Sequence, residues 1–210
     1  MGQYYKPIIL EEKRDIPKLF LYSHDFASGL KLMEHSWTLN RFVSHVEKLI
    51  DGNPSRVVWA GDYADEESID KIPKDALKTL KRKHKKYSPD TELEGATLYS
   101  IADHTALKVV VAEDVENRYD HDFKFYKYKY LLNLDTKEFV NKDNIPSVDG
   151  WKIHPLPLLT CEGNGRGGGD FRGDSSLVGS WSRNLVTVTN KKSEIPKDFV
   201  ELSFDLQEDI

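Results

Sequence analysis

The chain has 210 residues, 39% of them hydrophobic and 31% charged, with a formal net charge of −5, enough length and apolar content for one domain with its own core. The negative balance argues against general nucleic-acid binding, although a local basic patch overrides a net charge. A lone cysteine, Cys161, excludes an internal disulfide and cysteine-built zinc sites, and it suits a reducing cytosol.

Taken in order, the opening Met1-Gly2-Gln3-Tyr4-Tyr5-Lys6-Pro7 carries no apolar leader. No segment approaches the roughly 20 apolar residues needed to span a bilayer, so a cytoplasmic protein without membrane association is expected. Tyr4–Leu10 is predicted as a strand, with Pro7 placing it at an edge or ending its pairing. Gly29–His35 is a short helix with Leu30, Met33 and Trp37 toward the core. Thr38 is the expected N-cap of a helix reaching Asp51, because Phe42, Val43, Val46, Leu49 and Ile50 recur at helical spacing and Gly52 and Pro54 stop it. His45 lies off that stripe and is expected to be exposed.

Arg56–Ala60 reads as a central strand buried on both faces, closed by a turn at Gly61-Asp62. Pro73 opens a helix to Tyr87 that buries Leu77, Leu80 and His84. Its outer residues Lys78, Lys81, Arg82, Lys83, Lys85 and Lys86 are able to grip phosphates, but a solvated face near a helix C-terminus is the expected reading. Thr97–Ala102 and Ala106–Ala112 are predicted as strands. Phe123–Leu134 is a longer one, with Tyr126, Tyr128, Tyr130, Leu132 and Leu134 on one face and Lys127, Lys129, Leu131 and Asn133 on the other. A platform for single-stranded nucleic acid needs tyrosine and lysine together, so the tyrosine face is expected in the core.

Asp135-Thr136-Lys137 turns that strand into a hairpin with Glu138-Phe139-Val140. Ile153–Thr160 is predicted as a strand whose Pro155 and Pro157 leave one edge unpaired. Leu185–Thr189 and Phe199–Leu206 end the chain as strands. Helices and strands do not alternate regularly. The fold class is therefore α+β, one domain over 1–210, with a mixed, mostly antiparallel sheet and two main helices near 38–51 and 73–87.

The stretch richest in chemistry is 162–174, Glu-Gly-Asn-Gly-Arg-Gly-Gly-Gly-Asp-Phe-Arg-Gly-Asp. Its glycines allow positive φ and close backbone approach, and its amides form an anion-binding concavity when they converge. Asn164, Arg166, Asp170 and Arg172 are the candidate ligand-binding residues, the arginines as bidentate holders of an anion. Phe171 is expected to anchor the loop, and Arg166 or Arg172 to pair with Asp62 in the ligand-free protein. For catalysis the candidates are His154 as base with Asp62 and Glu162. For a metal ion they are Asp62, Glu162, Asp170 and Asp174. Cys161, ending an apolar run, reads as a small core residue.

Met1–Pro7, Gly29-Leu30-Lys31-Leu32-Met33-Glu34, Trp59-Ala60-Gly61-Asp62-Tyr63 and the block from His154 to Arg183 resemble a group of short, uncharacterised bacterial and phage-associated proteins. The resemblance spans most of the chain. It implies a bacterial or phage origin and cytosolic residence, and it carries over no catalytic residue. The expected function is a cytosolic binding protein whose glycine loop closes on an anionic small molecule or a partner surface. The alternatives are a metal-assisted phosphoester hydrolase and an interaction protein of a phage or bacterial accessory system without a pocket. The sequence leaves the cofactor and the oligomeric state open.

Overall fold

A computed structural model describes residues 3–12, 15–109, 128–147, 150–163, 169–173 and 176–205. The strands are β1 (Tyr5–Leu10), β2 (Pro17–Phe20), β3 (Ser55–Gly61), β4 (Glu66–Ser68), β5 (Gly95–Thr97), β6 (Leu107–Lys108), β7 (Tyr130–Asn133), β8 (Glu138–Asn141), β9 (Cys161–Glu162), β10 (Leu185–Thr189) and β11 (Val200–Glu201). The helices are α1 (Leu32–His35), α2 (Arg41–Ile50), α3 (Lys74–Tyr87), α4 (Leu98–Thr105) and α5 (Pro155–Thr160). Among the described residues nine strands form one sheet in the order β11-β8-β7-β10-β3-β1-β2-β6, with β9 beside β3. Strands β4 and β5 make a separate ladder. Among the described strands only β11–β8, β2–β6 and β3–β9 pair in parallel, so the sheet is mixed and mostly antiparallel and the class is α+β.

Strand β3 is buried on both faces, as its unbroken Val-Val-Trp-Ala predicts. Val57 and Trp59 join the main core with Phe42, Val43, Val46 and Ile50 of α2 and Leu156, Leu158 and Leu159 of α5. Val58 and Ala60 face the other way, against Leu98 and Ala102 of α4. Pro7 sits in the middle of β1, which is flanked by β2 and β3 rather than lying at an edge. Its carbonyl accepts from Leu21 N–H at 3.3 Å, so its donor-less nitrogen faces the β2 side, where register pairing begins only at Ile8↔Phe20. The proline ends that ladder, the second of the two expected roles.

Five helices are present among the described residues where two were expected, and the main ones sit differently. Helix α2 packs on the sheet. Helix α3 packs on α4, Ala76 and Leu80 clustering with Ile72, Ala96 and Ile101. The predicted strand 97–102 is mostly helix α4. Thr97 caps it, its hydroxyl accepting from Ser100 N–H at 3.2 Å, and Leu98, Ile101 and Ala102 then share one face at i, i+3, i+4. The cap of α2 is Asn40 rather than Thr38, its side chain accepting from Phe42 and Val43. His45 is buried, not exposed, with its ring 4.8 Å from that of Phe26.

The predicted strand 153–160 is the short helix α5, and its prolines explain the change. His154 N–H donates to Ser36 O at 2.8 Å, and Leu156 N–H donates to His154 Nδ1 at 3.2 Å. Pro155 and Pro157 occupy the first and third helical positions, where an amide has no partner inside the helix. Every donor of the first turn is thus satisfied or absent. Tyr130 and Leu132 are buried as expected, against Ile195 and Phe199. Leu131 and Asn133 are buried too, so this strand is covered on both sides. Residues 110–127, with Tyr126 and Lys127, lie outside the described residues. Of the predicted strand 199–206, only Val200–Glu201 is strand among the described residues, and Val200 is exposed while Phe204 is buried.

Two buried polar contacts fasten helices to the sheet. Lys6 of β1 is fully buried, pairs with Asp103 of α4 and lies 3.9 Å from the centre of the Tyr99 ring. Burial pushes its pKa down to about 8 against the pull of Asp103. On the opposite face, His35 of α1 accepts from Trp59 Nε1 through Nε2 at 2.8 Å and donates from Nδ1 to Gly29 O at 3.0 Å. An indole only donates and a carbonyl only accepts, so these partners fix the neutral Nδ1–H tautomer. Burial lowers the His35 pKa to about 4, and it lowers that of buried His154 as well.

A pH dependence follows. The folded protein keeps His35 and His154 neutral while the unfolded chain binds protons below its ordinary histidine pKa. Stability therefore falls as pH drops from about 6.5 toward 4, by up to about 1.4 kcal/mol per pH unit from His35, and His154 acts in the same direction. Urea midpoints followed by tryptophan fluorescence should show this decline, and His35→Gln should flatten it in part. A midpoint constant over that range would contradict the assignment.

Candidate functional site

The edge of β3 away from β1 is shared by two strands. Ser55 and Arg56 pair with β10, whereas Trp59 and Ala60 pair with β9. Arg183 stands at the fork, its N–H donating to Val57 O at 3.0 Å. The segment leading to it is pinned to α5: Gly179 N–H donates to Leu158 O at 2.8 Å and Trp181 N–H to Leu159 O at 2.7 Å. Gly179 has φ 72°, and a Cβ there would lie 2.6 Å from Cys161 O, so only glycine fits.

Arg183 itself has φ 61°, a conformation costing a residue with a Cβ roughly 1–2 kcal/mol. That backbone aims its guanidinium between three chain segments. Nε donates to Glu162 Oε1 at 2.7 Å and Nη2 to Glu162 Oε2 at 2.9 Å, a bidentate fork. Nη2 also donates to Glu67 of β4, and Nη1 lies 3.4 Å from Asp15 Oδ2. Ser182 Oγ donates to Glu162 Oε1 at 2.6 Å. Burial alone would raise the Glu162 pKa, but Arg183 and Ser182 outweigh it and hold the carboxyl below its usual range. The cluster borders a cleft of about 530 Å³. Asp65, Glu66, Glu67, Lys71, Glu162, Gly163 and Arg183 line it, with Val178, Gly179, Ser182 and Cys161.

The sequence candidates are partly gathered here and partly dispersed. Glu162 lines the cleft, but as the partner of Arg183. Asp62 closes the end of the β1–β3 ladder, accepting from Tyr4 N–H at 2.9 Å, and pairs with no arginine among the described residues. Asp170 accepts from Met33 N–H at 3.0 Å and so caps α1. Phe171 packs against the main core, as expected of an anchor. Gly169, φ 65°, lies so close to Tyr5 that a Cβ would meet the ring at 2.6 Å. Arg172 is exposed and makes no ion pair among the described residues. Asn164, Arg166 and Asp174 lie outside the described residues.

His154 does not fit the role of base. It is buried, its Nδ1 caps α5, and its Nε2 lies 3.3 Å from Glu47 Oε1, which Lys142 also contacts. Burial pushes the Cys161 thiol up to about 12, which suits a core residue and not a nucleophile. No three histidine, cysteine, aspartate or glutamate side chains converge as a metal set among the described residues. Arg183, Glu67 and Lys71 were missed by sequence reading. Arg183 follows a serine and precedes an asparagine, with no motif to mark it, and Glu67 is one of several acids in a run.

No family model, curated protein or solved structure matches the chain.

Two substitutions separate the strain at Arg183 from its ion pairs. Arg183→Ala should lose about 1–3 kcal/mol, the range for removing a charge-assisted bond and orphaning its partner. Arg183→Gly should recover about 1 kcal/mol of that loss by relieving the positive φ. Denaturant titration of both variants measures the difference, and a glycine variant less stable than the alanine variant would refute the strain.

Proposed function

We propose that the protein binds a small molecule carrying a cationic nitrogen, in the cleft at the foot of the glycine loop. The observation that carries this reading is the charge balance of the cleft. Glu162 and Glu67 already neutralise Arg183, and Lys71 lies 3.7 Å from Glu67. Asp65 and Glu66 remain, exposed and without an ion pair among the described residues. They supply an excess of negative charge in a concavity of a size that suits a small ligand. An anion, which Arg166 and Arg172 suggest, would have to displace Glu67 and enter against that excess. The hydrolase reading loses support because Glu162, Asp62, Asp170 and His154 are each engaged in separate structural contacts.

Gly163 lines the cleft, and Asp170 and Phe171 pack against the body of the protein. A cytosolic setting is consistent with a single buried thiol, and no helix among the described residues is long and apolar enough to cross a membrane. The partner-surface reading has its own support in a separate concavity of about 780 Å³, flanked by exposed Leu39 and Trp151.

A thermal-shift panel tests the ligand class. Diamines, polyamines and guanidino compounds should raise Tm, and the double variant Asp65→Asn, Glu66→Gln should abolish the shift with little change in the unliganded Tm. Stabilisation by phosphate or dicarboxylates alone would return the site to the loop arginines.

A further inference from the structure

Helix α3 carries Lys74, Lys78, Lys81, Arg82, Lys83, Lys85 and Lys86 against one carboxylate, Asp75. All seven cations are exposed, and none makes an ion pair among the described residues. At 100° per residue, all but Lys83 fall within an arc of roughly 140°. Lys74, Lys78, Lys81 and Lys85 form its spine, with successive charges roughly 4.5–6 Å apart along the axis. That interval is close to the separation of neighbouring phosphates along a single strand. A helix this basic in a chain of net charge −5 leaves the rest of the molecule strongly acidic.

The apolar face of α3 is already used. Ala76, Leu77 and Leu80 pack against Ile72, Ala96 and Ile101. No apolar stripe remains to enter a bilayer, which sets α3 apart from membrane-surface helices. At its end, Tyr87 is 70% exposed, with Lys86 Nζ 5.2 Å from the ring centre. An open ring and a row of exposed cations thus stand together at this end of the helix.

We propose that the outer face of α3 docks the phosphate backbone of a single-stranded nucleic acid, with Tyr87 stacking one of its bases. The cations provide affinity without sequence preference, and an aromatic ring accepts any unpaired base. Whole-chain charge conceals this surface because the seven cations of α3 share their helix with a single carboxylate, Asp75.

The test is fluorescence anisotropy with labelled RNA and DNA single strands of about 20 nucleotides at about 50 and 200 mM salt. Five phosphate contacts predict a loss of affinity of about a hundredfold between the two salts. Lys78→Gln, Lys81→Gln, Lys85→Gln in one chain should weaken binding at least tenfold at the lower salt and reduce the salt effect to less than about tenfold. Tyr87→Ala should weaken binding by about tenfold at both salts and leave the salt dependence unchanged. The three lysine variants made singly, each expected to cost about threefold, read the same surface if the triple variant does not fold. The proposal is overturned if the wild-type chain fails to bind at the lower salt, or if Lys191→Gln, Lys192→Gln weakens binding as much as the triple variant. Sedimentation with phosphatidylserine vesicles, without oligonucleotide binding, overturns it in favour of a membrane surface.

Discussion

Strand β3 has core on both faces, so it cannot turn any backbone group to water and must satisfy its hydrogen bonds within the sheet. Along one edge β1 does this over five residue pairs, from Tyr5↔Gly61 to Ile9↔Val57. The other edge is divided between β10 and β9, and the junction is closed by Arg183 N–H on Val57 O. The site depends on that division. Two strands leaving one edge in different directions open a cleft between them, and the residue at the junction takes the left-handed backbone that bridges them.

Charges buried near this frame follow one rule, that each has a partner from a different element. Lys6 of β1 meets Asp103 of α4, Glu47 of α2 meets Lys142 and His154, and Arg183 meets Glu162 and Glu67. Removing one member would leave the other unpaired, so these contacts specify which elements pack together more than they add net stability. Asp65 and Glu66 do not follow the pattern. They are exposed at the cleft and make no ion pair among the described residues, which is why the cleft, rather than the buried clusters, is proposed as the ligand site.

Where periodicity or burial dictated structure, the sequence was legible. The double-faced strand over 56–60, the amphipathic helices ending at Ile50 and Tyr87, and the hairpin at Asp135–Lys137 all follow from spacing and turn chemistry. The reading failed where a local side-chain contact decided between helix and strand. Pro155 and Pro157 are compatible with an edge strand or with a first helical turn, and the His154 cap selects the helix. Thr97 likewise turns an ambiguous apolar run into α4. For the site, glycine and charge density pointed to the stretch 162–174, of which Glu162, Asp170 and Phe171 make defined contacts. What spacing alone could not convey is that Asp170 is spent on capping α1 and that the organising cation is Arg183, twenty-one residues beyond its partner Glu162.

Arg183 is locked by Glu162 and Glu67 at the mouth of the proposed ligand cleft. Nitrogen-15 NMR of arginine side chains addresses it directly. A guanidinium held by two carboxylates rotates slowly about its C–N bonds, so Arg183 should give resolved, slowly exchanging Nη–H resonances in the ligand-free protein. Those resonances should move when an amine ligand is added, and they should coalesce in Glu67→Gln, Glu162→Gln. A single averaged Nη signal in the wild-type protein, unaffected by every ligand that raises Tm, would contradict the account.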